Sequence, residues 1–147
     1  EPVSLTPVDA EGMKALRKNE SGKFRLVAFW ATWCAPCVVE FPKFVAMHRM
    51  YRQREFELVT VSLNRPDEEK DVLGFLKKQQ ASMKNWIFGS ATRAPLIDAF
   101  NPQWQGEVPY TVLIDPEGKV VFSETGSIDP LEWKRVIVRH LNERKPW

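Results

Sequence analysis

The sequence predicts an α/β fold, one mixed β-sheet with helices on both faces, in a single domain spanning residues 1–147. Three observations carry this. LVAFWA at 26–31, a short continuous apolar run rich in β-formers, reads as a buried strand, FELVTVSL at 56–63 reads as a second strand, and the stretches between and after them read as helices. Two further short apolar segments flank Asp115-Pro116-Glu117-Gly118, which marks an antiparallel hairpin. A strand–helix–strand unit followed by a hairpin gives a mixed sheet covered on both sides. The chain of 147 residues is long enough to bury a core of its own.

Each element has a local reason. Residues 9–19, DAEGMKALRKN, read as a first helix, and 26–31 as the strand after it. A long helix is predicted from Pro36 to Arg54, since proline suits a first turn, where its missing N–H is no loss. Residues 56–63 form the second strand, and Asp67 is placed to cap a helix running to Gln80. Trp86 to Phe88 is a short strand, and Pro95 to Phe100 one or two helical turns. Strands Tyr110–Ile114 and Val120–Glu124 are joined by a type I turn with Pro116 at its second position and Gly118 at its fourth. Asp129 as N-cap, Pro130 at N1 and Glu132 at N3 then open the last helix.

Composition excludes several functions. With 21 basic and 19 acidic residues the net charge is +2, which gives no reason to expect nucleic acid or an anionic membrane as a partner. Twelve per cent aromatic content argues against disorder, and no apolar run approaches the roughly 20 residues of a spanning helix. The basic run Lys134, Arg135, Arg139, Arg144 and Lys145 reads as a solvated helix face.

The chemistry is concentrated in Trp33-Cys34-Ala35-Pro36-Cys37, which holds the only two cysteines of the chain. A disulfide across so short a loop constrains the unfolded chain little, so the pair is there for reactivity rather than stability. A strand turning directly into a helix puts Cys34 at the helix N-terminus, where unpaired N–H groups favour a thiolate. Cys34 is then the exposed nucleophile, and Cys37, one turn deeper, is the buried resolving thiol. A structural zinc site would need four ligands, and only His48 and His140 are available beyond the cysteines. His48 lies 11 residues beyond Cys37, about 16 Å along the same helix, so the two cannot share a metal. Haem attachment would need histidine where Val38 stands. No metal and no cofactor other than the Cys34–Cys37 pair is therefore expected.

The stretch LVAFWATWCAPCVVEFP, residues 26–42, resembles the thioredoxin family, as does Val108-Pro109-Tyr110-Thr111 before the strand VLID. Pro42 stands eight residues after Cys34, where that family has a helix-bending proline. The resemblance implies that Pro109 is cis and faces the motif, that Val108 pairs through its backbone with a substrate chain, and that Ala35 and Pro36 support the redox pair. Within the fold the chain is most similar to the TlpA/ResA type of extracytoplasmic thiol-disulfide reductases. It shares their Cys-x-x-Glu-x-Pro continuation through Glu40 and about 25 additional residues before Pro109, an inserted strand and helix. One departure from thioredoxin itself is Ala28, where that protein carries a buried aspartate. Glu40, one turn beyond Cys37, is the candidate to take the Cys37 proton; the alternative is a solvated glutamate helping the helix dipole.

The resemblance implies reduction of protein disulfides outside the cytoplasm, in a bacterial periplasm or cell envelope. The partners are a disulfide-containing protein and an upstream thiol reductant. The protein is expected to be a monomer whose leader or anchor is missing from this chain. Two other functions compete. A thiol peroxidase would want threonine three residues before its cysteine, but Ala31 and Cys34 stand at those positions. A non-catalytic binding module of a larger secreted protein would leave the intact motif, Pro42 and Pro109 unexplained. Among the aromatics, Trp33 is expected to cover part of the nucleophile and Trp30 to lie in the core. Trp104 and Tyr110 flank Pro109 and fit either a stacking rim for a peptide or core packing.

Overall fold

The computed structural model describes residues 2–144. Six strands form one sheet: β1 (Thr6–Val8), β2 (Phe24–Trp30), β3 (Phe56–Ser62), β4 (Lys84–Phe88), β5 (Tyr110–Ile114) and β6 (Val120–Thr125), in the order β1-β4-β3-β2-β5-β6. β1, β4, β3 and β2 are mutually parallel, while β5 runs antiparallel to β2 and β6 antiparallel to β5. Five helices cover the two faces: α1 (Ala10–Lys18), α2 (Ala35–Tyr51), α3 (Glu69–Lys78), α4 (Ala94–Phe100) and α5 (Pro130–Glu143).

The alternation of side chains along the central strands sorts them into two cores. Leu26, Ala28 and Trp30 of β2 face Phe41, Phe44 and Met47 of α2, Val72 and Leu76 of α3, and Trp133 and Ile137 of α5. Val27 and Phe29 face the opposite side, with Met13 and Leu16 of α1 and Leu96 and Phe100 of α4. The two central parallel strands are buried on both faces over most of their length, which is why 26–31 reads as a continuous apolar run; β3 buries Thr60 and Ser62 along with its apolar residues.

Several predicted boundaries shift. β1 was not foreseen; three residues are too few for a periodic signal, and its place is set by parallel pairing with β4. Asp67 does not cap α3. Pro66–Glu68 form a 3₁₀ turn, and the Asp67 carboxylate accepts from the Arg65 guanidinium while Glu68 Oε1 accepts from the Arg65 N–H at 2.9 Å. α2 ends at Tyr51 rather than Arg54, closing with the Arg52 N–H on His48 O, and Pro42 lies inside it. Between β3 and the loop to Pro109 lie α3, β4 and α4. Asp129 caps α5 by accepting from Leu131 N–H at 3.0 Å. Of the basic run on that helix, Lys145 lies outside the described residues.

The β5–β6 connection closes through Gly118 N–H on Asp115 O at 2.9 Å and Asp115 N–H on Lys119 O at 2.8 Å. Gly118 has φ +88°, and a Cβ there would lie 2.7 Å from the backbone oxygen of Lys18. Gly118→Ala should therefore cost about 1–3 kcal/mol. Gly74→Ala, in α3 with open space around it, should stabilise by up to about 1 kcal/mol. Urea unfolding of the two variants checks the contrast; equal midpoints would refute it.

Candidate functional site

β2 ends at Trp30, and after four linking residues α2 begins at Ala35, with Cys34 as its N-cap. Cys34 N–H donates to Ala31 O at 3.1 Å, and Cys37 N–H donates to Cys34 Sγ at 3.4 Å. The two cysteines are joined in a disulfide, and their Cα atoms are 5.3 Å apart. Cys34 is only 6% exposed and Cys37 1%, so the order of accessibility is as expected but Cys34 is not openly exposed. Part of the cover comes from the loop before β5: Val108 O lies 3.7 Å from Cys34 Sγ.

That loop reaches the disulfide because of strand direction. Phe29, next to the last residue of β2, pairs with Tyr110, the first residue of β5, so Val108 and Pro109 fall beside the end of β2. The Val108–Pro109 bond is cis. Pro109 O accepts from Gly126 N–H at 2.8 Å, and Trp104 Nε1–H donates to Glu107 O at 2.9 Å. Trp104 and Tyr110 are buried and pack on Phe29, with ring centroids 4.6 and 5.6 Å away. They belong to the core beneath the loop and form no stacking rim. Trp30 is likewise core, against Phe41 and Phe75.

The motif carries exposed apolar side chains on its outer side. Trp33 is 56% exposed and Val39, on the next turn of α2, 74% exposed; Ala35 and Pro36 are exposed as well. The Arg93 guanidinium sits 5.9 Å from the Trp33 ring, and both line a cleft of about 300 Å³ with Leu63, Arg65, Glu68 and Ala91. Val39 and Arg93 were not singled out from sequence, since exposure of a lone valine or arginine leaves no pattern.

Glu40 is 3% exposed, so the solvated reading fails. Its Oε1 accepts from Ile128 N–H at 3.0 Å, from the turn between β6 and α5. Burial pushes its carboxyl up from the ordinary value of 4.5; the Ile128 N–H and Lys43 pull it partly back, and Glu124 pushes it further up. Nothing in the sequence pointed to Ile128, whose contribution is a backbone group 88 residues away. His48 lies half-buried on α2 and His140 packs on Phe24 at 5.6 Å. Among the described residues, no three His, Cys, Asp or Glu side chains are grouped to hold a metal.

A C-x-x-C disulfide at a helix N-terminus, fed by a central strand and faced by a cis-proline in this sheet order, is the arrangement of thioredoxin-fold redox proteins. The AhpC/TSA family profile matches residues 4–123. The thiol-disulfide oxidoreductase ResA of Geobacillus thermodenitrificans is 30% identical over 142 residues, covering 94% of this chain and 72% of that protein. ResA of Bacillus subtilis is 30% identical over 120 residues, covering 82% of this chain and 63% of that protein. This chain thus spans less than two thirds of the length of the Bacillus relatives. A thioredoxin-family thiol:disulfide interchange protein from Chlorobium tepidum superposes with a TM-score of 0.69 at 25% identity, covering 96% of this chain and 99% of the other. The chain belongs to the AhpC/TSA family and stands there with the ResA-type proteins.

The raised Glu40 pKa sets a pH dependence. The folded protein holds the Glu40 proton to higher pH than the unfolded chain, so its contribution to stability is complete below about 4.5 and is lost as pH rises through the raised value. Glu40→Gln keeps an acceptor for Ile128 N–H and removes the charge. Its melting temperature relative to wild type should climb with pH across that window and then level off. Parallel melting curves from pH 4 to 8 would refute the assignment.

Proposed function

We propose that this chain is a thiol-disulfide oxidoreductase that reduces protein disulfides outside the cytoplasm. The observation that carries the reading is the Cys34–Cys37 disulfide at the N-terminus of α2, with Cys34 Sγ facing Val108 O beside a cis-proline. The ResA relatives support the same class. The extracytoplasmic setting follows the TlpA/ResA resemblance. No helix among the described residues is long and apolar enough to cross a membrane.

In the reduced protein the Cys34 thiolate, stabilised by the Cys37 N–H and the α2 dipole, attacks one sulfur of a substrate disulfide. A mixed disulfide forms and the other substrate sulfur leaves as a thiolate. Glu40, one turn beyond Cys37 and raised in pKa by burial, takes the Cys37 proton. The Cys37 thiolate attacks Cys34 Sγ, breaks the mixed disulfide and releases the second substrate thiolate. The substrate has gained two electrons, and the protein is left with the Cys34–Cys37 disulfide. An upstream thiol reductant returns those electrons. Trp33 and Val39 give the substrate an apolar landing beside the motif, and the backbone of Val108 holds its chain.

Insulin reduction tests this. Cys34→Ser should abolish it. Cys37→Ser should stop after one step, with substrate covalently attached to Cys34, identifiable by mass spectrometry. Glu40→Gln should slow release of the mixed disulfide by at least about 10²-fold at neutral pH. Wild-type rates in Glu40→Gln would remove its proton-transfer role. Peroxide turnover without insulin reduction would overturn the reductase reading in favour of a peroxidase.

A further inference from the structure

Asn64 stands two residues beyond the end of β3 and is fully buried. Its Oδ1 accepts from Thr32 N–H at 3.0 Å and from the Ser62 hydroxyl at 2.6 Å. Its Nδ2 donates to Thr32 Oγ1 at 2.7 Å and to Glu68 Oε1 at 3.2 Å. A primary amide offers two donors and two acceptor positions, so this one is saturated and its orientation is fixed by its partners. Thr32 lies in the link between β2 and α2, two residues before Cys34, and is gripped by both its main chain and its side chain. Leu63 N–H donates to Trp30 O at 2.8 Å, so the parallel ladder of β2 and β3 runs straight into this clamp.

The geometry points to Asn64 as a positioning residue for Cys34, acting through Thr32. It touches no reacting atom. It holds the link so that Cys34 Sγ stays within reach of the Cys37 N–H and opposite Val108 O. Stabilisation of a thiolate at a helix N-terminus falls off within the first turn, so a link free to shift by an ångström or so forfeits it. Glu68 completes the clamp from the far side, and its own Oε1 is steadied by the Arg65 N–H at 2.9 Å. The inference deepens the redox reading above and rests on it for the use of Cys34 as nucleophile.

A merely structural amide would behave otherwise, and the protein contains one for comparison. Asn85 on β4 is as deeply buried, accepts from Thr60 Oγ1 at 2.7 Å and donates to Ala81 O at 2.9 Å and Met83 O at 3.0 Å, none of which belongs to the redox site. The experiment measures iodoacetamide alkylation of Cys34 in the reduced protein against pH, together with melting temperature. Asn64→Ala should shift the alkylation profile to higher pH and slow the reaction at pH 7 about ten-fold, the equivalent of one pK unit. Thr32→Val should move it the same way by less, and Thr32→Ser should leave it at wild type. Asn85→Ala should lower the melting temperature and leave the profile in place. An unmoved profile in both Asn64→Ala and Thr32→Val, or an equal shift in Asn85→Ala, overturns the proposal. If Asn64→Ala does not fold, the contrast between Thr32→Val and Thr32→Ser decides. Failure of the wild type to reduce insulin, with the alkylation contrast intact, would instead count against the oxidoreductase reading.

Discussion

The redox site depends on the antiparallel register of β5 against β2. Parallel strands end together, and their outgoing loops gather at one edge of a sheet; a strand running the other way begins at that edge. With Phe29 opposite Tyr110, the residues entering β5 are carried to the place where β2 gives way to α2. The disulfide and the residues facing it are more than seventy positions apart in sequence and 3.7 Å apart in space for this reason alone. A slip of one residue would turn every side chain of β5 to the other face of the sheet, so the burial of β5 on both sides also guards the site.

Around that meeting point the protein buries groups that are costly to bury. Glu40 and Asn64 are both all but inaccessible. Their partners differ in kind. Asn64 has its amide fully satisfied, which makes it rigid and neutral in its demands. Glu40 has one backbone donor on one oxygen and a burial cost that the donor only partly offsets. A saturated amide fixes geometry; a carboxyl raised by burial keeps its proton to higher pH. The cysteine pair is thus flanked by an amide held on every polar atom and by a carboxyl whose protonated form burial favours.

Much of this was legible in the sequence, for identifiable reasons. β2 announced itself because burial on both faces favours a continuous apolar run, and α2 and α5 because Pro36 and Asp129-Pro130 are start signals with a steric and hydrogen-bonding cause. The cysteine pair was legible as redox chemistry because a disulfide across so short a loop adds little stability, while zinc or haem would need ligands the sequence does not place beside it. What escaped was whatever tertiary contacts decide. β1 exists only as a partner of β4. Asp67 has the right chemistry for a cap, but Pro66 starts a tighter turn one residue earlier and Arg65 claims the carboxylate. Trp104 and Tyr110 carry the same composition whether they line a rim or a core, and only the position of Phe29 beneath them settles it. Ile128 acts through its backbone, which its side chain does not advertise.

The two cores meet the site from opposite sides of the sheet. Cys34, Cys37 and Phe41 sit in one; Phe29, Trp104 and Tyr110, which underlie the cis-proline loop, sit in the other; Val108 packs against both. The site is a seam between two separately packed bodies. Substitutions well apart and on opposite sides of such a partition tend to act independently. Drift in the aromatic nest under the loop would move Val108 and Pro109, while drift under α2 would move the disulfide. The two sides of the partition can therefore be retuned along nearly separate axes, with Val108, among the described residues, packed against both.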